Sequence, residues 1–186
     1  MRSLFETDSF SIFGQSSALR HAIRNYSAYM EQARRVVQDE GIGFVFLHVP
    51  VPHAPHFYNR YSGRFDGRNN PIRGYLNSLA LMDRTFGELR ELMEKRGLWS
   101  NSAVLISADH PFRASAALDG KFDPRVPFLL KLPGQTTAAT YGDRVNTIVS
   151  ARLVWEILEG RIATTGDALA WLKQHGQDTE AAVPGS

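Results

Sequence analysis

Residues 103–110 read Ala-Val-Leu-Ile-Ser-Ala-Asp-His, an apolar run that ends in an acid and a histidine. Two further apolar runs accompany it, Phe-Val-Phe-Leu-His-Val at residues 44–49 and Val-Pro-Phe-Leu-Leu-Lys at residues 126–131. Short runs rich in branched and aromatic side chains are typical of strands covered on both faces. The sequence therefore predicts buried strands at residues 44–49, 103–107 and 126–131.

Apolar residues at helical spacing separate and follow these runs. The first helix is capped by Ser16 or Ser17 and stops at Gly41, and the second has Asn70 as its cap and Pro71 in its first turn. The stripe of the first helix is Leu19, Ile23, Tyr26, Met30, Ala33 and Val37. The stripe of the second, which runs to Arg96, is Ile72, Leu76, Leu79, Met82 or Asp83, Phe86, Leu89, and Leu92 or Met93. Residues 145–158 and 168–173 predict the last helices, and the aromatic residues expected in the core are Tyr75, Phe86, Trp155 and Trp171.

The order of these elements indicates an α/β fold, a layered sheet flanked by helices. Alternation of strand and helix favours parallel pairing between residues 44–49 and 103–107. We expect a single domain over residues 1–176 and a frayed tail over residues 177–186, which has few apolar side chains to bury.

Composition excludes several kinds of site. The chain has no cysteine, so any metal must be held by histidines and carboxylates. A net charge of +2 gives little support to nucleic-acid binding. The longest apolar run is interrupted by His48 and is far shorter than the ~20 residues that a membrane-spanning helix needs. The opening residues lack the apolar core of a signal peptide.

Polar side chains follow two of the predicted strands. His48, His53 and His56 lie at the end of the first, and Asp109 and His110 directly follow the second. Because reactive groups gather beyond the carboxyl ends of strands in such sheets, these residues predict a divalent-metal or anion site, with zinc or manganese suited to the donors. Structural alternatives stay open: His48 as a core histidine, the other two as idle loop residues, and the Asp-His pair as a turn cap.

Arginines surround the same segments. Arg60, Arg64, Arg68 and Arg73 follow the histidine loop, and Arg113 and Arg125 flank the later strands. Guanidinium groups suit a sulfate or phosphate ligand, whereas a solvated basic loop is the competing interpretation for the first four.

Taken in order, these segments resemble the sulfatase-like branch of the alkaline phosphatase superfamily. The matching pieces, collinear over residues 41–131, are Phe-Leu-His-Val-Pro-Val-Pro-His-Ala-Pro at 46–55, Tyr75-Leu76, Met82-Asp83, Gly-Leu-Trp at 97–99, Ala-Val-Leu-Ile-Ser-Ala-Asp-His at 103–110, and Arg-Val-Pro-Phe-Leu-Leu-Lys at 125–131. The resemblance implies a partial alkaline phosphatase-like fold. It also implies a divalent metal (zinc, manganese, magnesium or calcium) held by Asp109 and His110.

The resemblance further implies that His53 contacts the substrate anion or protonates the leaving oxygen, with His48 and His56 as further substrate-binding candidates. Arg125 joins them because of its guanidinium chemistry. Pro111 stands where the family usually has glycine. No hydroxyl or cysteine matches the family's nucleophile; Thr7, Ser9, Ser11 and Ser107 lack a recognisable base or motif around them.

We therefore expect a sulfatase-like metal-dependent hydrolase of sulfate or phosphate esters, present as a fragment or a reduced relative whose nucleophile half is absent. The chain alone is expected to be inactive. The alternatives are a non-catalytic metal-binding or anion-binding module on the same fold, and an unrelated hydrolase with a self-sufficient histidine site. Strands that lack neighbours would leave an uncovered edge and favour self-association.

Overall fold

The structure, a computed structural model, describes residues 17–66 and 71–180. Its helices are α1 Ser17–Val36, α2 Pro71–Lys95, α3 Ala116–Asp119, α4 Ser150–Leu158 and α5 Thr165–His175, with short 3-10 turns at Trp99–Asn101 and Thr147–Val149. Its strands are β1 Tyr58–Asn59, β2 Arg64–Phe65, β3 Val104–Ser107 and β4 Phe128–Lys131. These elements cluster as two compact units, the first up to Arg96 together with Ala117–Gly120, and the second formed by Gly97–Ala116 and the chain from Lys121 onward.

Helix α1 buries its predicted stripe. Leu19, Ile23, Tyr26, Met30 and Ala33 are all buried. Tyr26 and Met30 are fully enclosed, and they belong to one core cluster with Leu81 and Leu89 of α2. The Thr85 hydroxyl donates to the Leu81 carbonyl at 2.8 Å, so the Tyr26 hydroxyl, 2.6 Å away, donates to Thr85. Burial raises the pKa of Tyr26, and the phenol stays neutral.

The helix predicted after Pro71 is confirmed as α2, but its buried face differs from the expected stripe. The buried side chains of α2 include Asn77, Ser78, Leu81, Thr85 and Leu89. Leu79 is exposed, and Phe86 and Tyr75 are only half-buried. Polar Asn77, Ser78 and Thr85 therefore face inward, where small side chains allow close approach of the neighbouring segments.

A small aromatic cluster lies in the segment expected to be a loop. Strands β1 and β2 pair antiparallel, Tyr58 opposite Phe65 and Asn59 opposite Arg64. The rings of Phe57 and Phe65 stand 5.7 Å apart, and both pack near Tyr26. The hairpin is thereby attached to α1.

The strand predicted at residues 44–49 is wrong, since this run forms no strand in the structure. Phe44 and Phe46 are 57% and 79% exposed, and His48 is exposed as well. No other described residue pairs with the backbone of this run, and a strand cannot form without a neighbour to accept and donate its ladder hydrogen bonds. The expected parallel pairing with residues 103–107 fails with it.

The second unit contains the other two predicted strands, confirmed as β3 and β4. They pair antiparallel in the register Val104 opposite Lys131 through Ser107 opposite Phe128. Phe128 and Leu130 pack against a core formed by Leu132, Leu153, Ile162 and Ala168. Leu129 points away and is 60% exposed, so this two-stranded sheet is covered on one face rather than on both.

The last predicted helices are confirmed with shifted bounds, as α4 and α5. Thr164 caps α5 through a reciprocal capping box with Asp167, which explains why this helix begins earlier than its apolar residues suggest. Trp171 packs against the core, whereas Trp155 is 40% exposed and is not the core residue that was expected.

Helices with small sheets are compatible with a partial α/β fold, while the layered alkaline phosphatase-like arrangement stays a prediction. The boundaries at residues 176 and 177 also stay predictions, and residues 181–186 lie outside the described part. No helix within the described ranges is long and apolar enough to cross a membrane.

Candidate functional site

The first unit contains a segment rich in histidine and proline, residues 48–56, which we call the histidine-proline loop. It presents His48 and His53 to solvent. The His53 Nδ1 lies 2.7 Å from the Ala54 carbonyl oxygen. Because a carbonyl oxygen only accepts, Nδ1 carries the hydrogen and donates it. The Nε2 of neutral His53 therefore carries a lone pair, and it becomes a donor only when the ring is protonated.

His56 occupies a different environment in the same loop. It is half-buried, and its Nδ1 lies 3.0 Å from the hydroxyl oxygen of Ser78, which is 1% exposed on α2. Its ring also lies against Gly74, where a Cβ atom would stand 2.5 Å from the His56 Cδ2. Burial lowers the pKa of His56, and neighbouring His53 lowers it further, so His56 is held as a neutral imidazole near pH 7.

Asp109 and His110 follow β3 as expected. Asp109 is exposed and His110 is half-buried. The His110 Nδ1 donates to the Pro111 carbonyl at 2.8 Å, which again leaves a lone pair on Nε2 of the neutral ring. Carboxylate and imidazole are suitable donors for a divalent cation, and Pro111 contributes no backbone N–H beside them.

These two donors do not complete a metal site by themselves. Across residues 17–66 and 71–180, no group of three or more histidine or carboxylate side chains is arranged to hold a metal ion. A structural zinc site normally has four ligands and a catalytic one at least three from protein. The described side chains therefore match a divalent cation in donor type but not in number.

Arg125 is engaged by a neighbouring acid. Its Nε and Nη2 atoms donate to Asp123 at 2.9 and 2.6 Å, and both side chains are exposed. The guanidinium lowers the pKa of Asp123 to about 2, and hydrogen bonding to Asp123 raises the pKa of Arg125. An anion that binds Arg125 would have to compete with this carboxylate.

The other arginine candidates lie on different elements. Arg60 donates to the Tyr61 hydroxyl at 2.9 Å, and Arg113 is exposed after β3. Arg64 belongs to β2 and Arg73 to α2, while Arg68 lies outside the described residues.

His53 and His56 lie in one loop of the first unit. Asp109 and His110 lie side by side in the second unit. The predicted meeting of His53 with Asp109 in one crevice stays a prediction. Among the nucleophile candidates, Thr7, Ser9 and Ser11 lie outside the described residues, and Ser107 is exposed at the end of β3.

Sequence reasoning missed Ser78 and Gly74, the residues that contact His56. Their spacing of four places small side chains on one face of α2, which could have indicated that something packs closely there. Nothing in the sequence indicates that the group packed there is a histidine 22 positions away from Ser78.

Comparison with known proteins places the chain in a family. No curated protein and no solved structure matches it. A family model described as Sulfatase matches residues 26–157, the larger part of the chain. The matched range runs from α1 into α4, and it contains both the histidine-proline loop and the Asp-His pair after β3. The resemblance drawn from those segments is thereby confirmed: the chain belongs to the sulfatase family.

Proposed function

We propose that this chain supplies the cation-binding and anion-contacting part of a site that hydrolyses sulfate or phosphate esters. The observation that carries the proposal is the occurrence, inside the matched range, of an Asp-His pair directly after β3 and of a histidine-proline loop open to solvent. Imidazoles and a carboxylate can serve such a hydrolysis as proton donors, anion contacts and cation ligands.

Asp109 and His110 are proposed as donors to a divalent cation. Asp109 is accessible, and the hydrogen bond from His110 Nδ1 to Pro111 fixes the tautomer in which Nε2 can coordinate. A bound cation would neutralise charge on an ester oxygen and favour deprotonation of an attacking group. Because two donors leave the coordination shell incomplete, the affinity of this chain for zinc or manganese is expected to be weak.

His53 is proposed as the group that meets the ester anion or its leaving oxygen. Its Nδ1–H is committed to Ala54, so a proton can leave only from Nε2 of the imidazolium. In that form the ring attracts a sulfate or phosphate oxygen and can protonate a departing alkoxide. Exposure of the loop leaves room for a substrate of either kind. His48, His56 and Arg125 are proposed as secondary contacts to the anion.

The attacking group is proposed to lie outside the residues described. Among the described residues, the Ser78 hydroxyl contacts a histidine, but it is 1% exposed and cannot reach an ester. Without a positioned nucleophile most of the rate enhancement is lost. The chain alone is therefore expected to show no metal-dependent turnover of aryl sulfates or phosphate esters.

A binding experiment tests the proposal directly. Calorimetric titration with Zn²⁺ or Mn²⁺ is expected to show weak binding that Asp109→Ala abolishes and Asp143→Ala, an exposed aspartate of the same unit, leaves unchanged. Titration with inorganic sulfate is expected to shift the His53 resonances, with exposed His21 as the reference ring. Absence of both responses would overturn the proposal.

The second candidate is a module that binds a cation or an anion without catalysis. Two features favour it: the cation site as proposed has only two donors among the described residues, and the Ser78 hydroxyl is buried. Ester hydrolysis with added Zn²⁺, Mn²⁺, Mg²⁺ or Ca²⁺ separates the alternatives. Multiple turnover that disappears in Asp109→Ala would show instead that this chain carries a complete site built from its own histidines.

A further inference from the structure

His56 is the half-buried histidine of the loop, whereas His48 and His53 are exposed. Two contacts to α2 hold it: the hydrogen bond between its Nδ1 and the Ser78 hydroxyl at 3.0 Å, and the close approach of its ring to Gly74. Any side chain at position 74 would occupy space that the ring now fills. Gly74 and Ser78, one helical turn apart, together form a socket for the imidazole.

The direction of the hydrogen bond follows from the surroundings of Ser78. Its hydroxyl is buried, and its described partner is His56. If His56 Nδ1 donated, the hydroxyl hydrogen would be buried without an acceptor, at a cost of about 1–3 kcal/mol. The hydroxyl therefore donates to Nδ1, and the ring hydrogen is placed on Nε2.

The second nitrogen of the ring, Nε2, is accessible. No described residue accepts from it, and it is not among the buried polar atoms that lack a partner, so it reaches solvent. Neutral His53 has the opposite arrangement, with the hydrogen on Nδ1 and a lone pair on Nε2. At Nε2, therefore, His56 is a hydrogen-bond donor and neutral His53 is an acceptor.

We propose that His56 is a neutral hydrogen-bond donor, through Nε2–H, to an oxygen of the bound sulfate or phosphate group, and that Ser78 and Gly74 are the residues that position it. The role at the anion rests on the proposed function. A donor held in place before the ligand arrives needs no reorganisation to stabilise negative charge on oxygen. It also needs no proton from solution, because burial of the ring keeps it neutral.

The first measurement concerns the tautomer and needs no substrate. Long-range ¹H–¹⁵N spectra of the full chain, labelled at histidine, are expected to show His56 in the Nε2–H form and His53 in the Nδ1–H form. Ser78→Ala is expected to convert His56 to a mixture of tautomers, whereas Ser27→Ala, which removes a hydroxyl bonded to the Ile23 carbonyl of α1, leaves it unchanged. A wild-type His56 in the Nδ1–H form would overturn the proposal.

The second measurement is titration with inorganic sulfate and with inorganic phosphate. The Nε2 resonance of His56 is expected to shift, and His56→Ala is expected to weaken the affinity by about fivefold, the effect of one ordinary hydrogen bond. His56→Gln, whose amide can donate near the same place, should lose less. An Nε2–H tautomer with no response to either anion would refute the role at the anion. Lack of ester hydrolysis alone would count against the proposed function and not against this assignment.

Discussion

Gly74→Ala is expected to destabilise the chain although alanine is the better helix former. In a helix interior this substitution ordinarily stabilises by about 0.5–1 kcal/mol. At position 74 the new Cβ would stand 2.5 Å from Cδ2 of His56 and 2.7 Å from its Cβ and Cγ. Ordinary carbon contacts are about 3.5–4.0 Å, so the ring would have to retreat by about 1 Å.

The ring cannot retreat without cost, because its Nδ1 is bonded to Ser78. Overpacking of this kind costs about 1–3 kcal/mol, including a lost hydrogen bond of about 1 kcal/mol. After subtraction of the gain in helix propensity, a net destabilisation of about 1 kcal/mol remains, within a range of about 0–2.5 kcal/mol.

Gly87→Ala is the matched control on the same helix. A Cβ at position 87 would meet nothing within 4 Å, so this variant is expected to be more stable by about 0.5–1 kcal/mol. Urea unfolding followed by circular dichroism measures both, and the midpoints should move in opposite directions at similar m values. A Gly74→Ala protein as stable as Gly87→Ala would refute the close packing of His56 on α2.

Other properties of the chain give further expected outcomes. Because the folded state holds the pKa of His56 below its ordinary value of 6.5, the unfolded chain takes up the proton first. Stability should therefore fall as the pH drops below about 6.5, and thermal unfolding of His56→Gln should depend less on pH across that window; an equal dependence would contradict this. Loss of the buried Tyr26–Thr85 hydrogen bond in Tyr26→Phe should cost about 1–2 kcal/mol by urea unfolding, and a neutral result would exclude a stabilising role. Sedimentation analysis is expected to show self-association at high concentration that Phe46→Ser reduces, since Phe46 is 79% exposed; a concentration-independent monomer would refute it.

The sequence predicted the elements whose folding depends on local patterns. The stripe from Leu19 to Ala33 specifies the buried face of α1, and the apolar run of β3 ends at Ser107 as expected. Residues 44–49 show the limit of the same reasoning, because an apolar run indicates a preference for burial and does not supply the neighbour that a strand needs.

The same limit applies to the candidate site: residues next to a strand could be predicted, whereas contacts made by packing could not. Asp109 and His110 were found because they directly follow a strand, which is a local relation along the chain. The contact between His56 and Ser78 depends on how the loop returns to α2, and that packing leaves no periodic signal in the sequence. Nor could the charge partner of Arg125 be deduced from residue type alone, since Asp119 also lies close to Arg125 along the chain.

Lys131 stabilises the register of β3, the strand that Asp109 and His110 directly follow. Its ammonium donates to the carbonyl oxygens of Trp99 and Ser102, the latter at 2.8 Å, and lies 5.1 Å from the centre of the Trp99 ring. The connection between β3 and β4 spans residues 108–127, too long for a tight turn to set their alignment. The lysine clamps the end of β4 to the segment just before β3, and so opposes a one-residue slip that would send every side chain of β3 to the opposite face. The Lys131 ammonium thus stabilises one register of β3 against β4. That register sets the face of the sheet toward which Asp109 points.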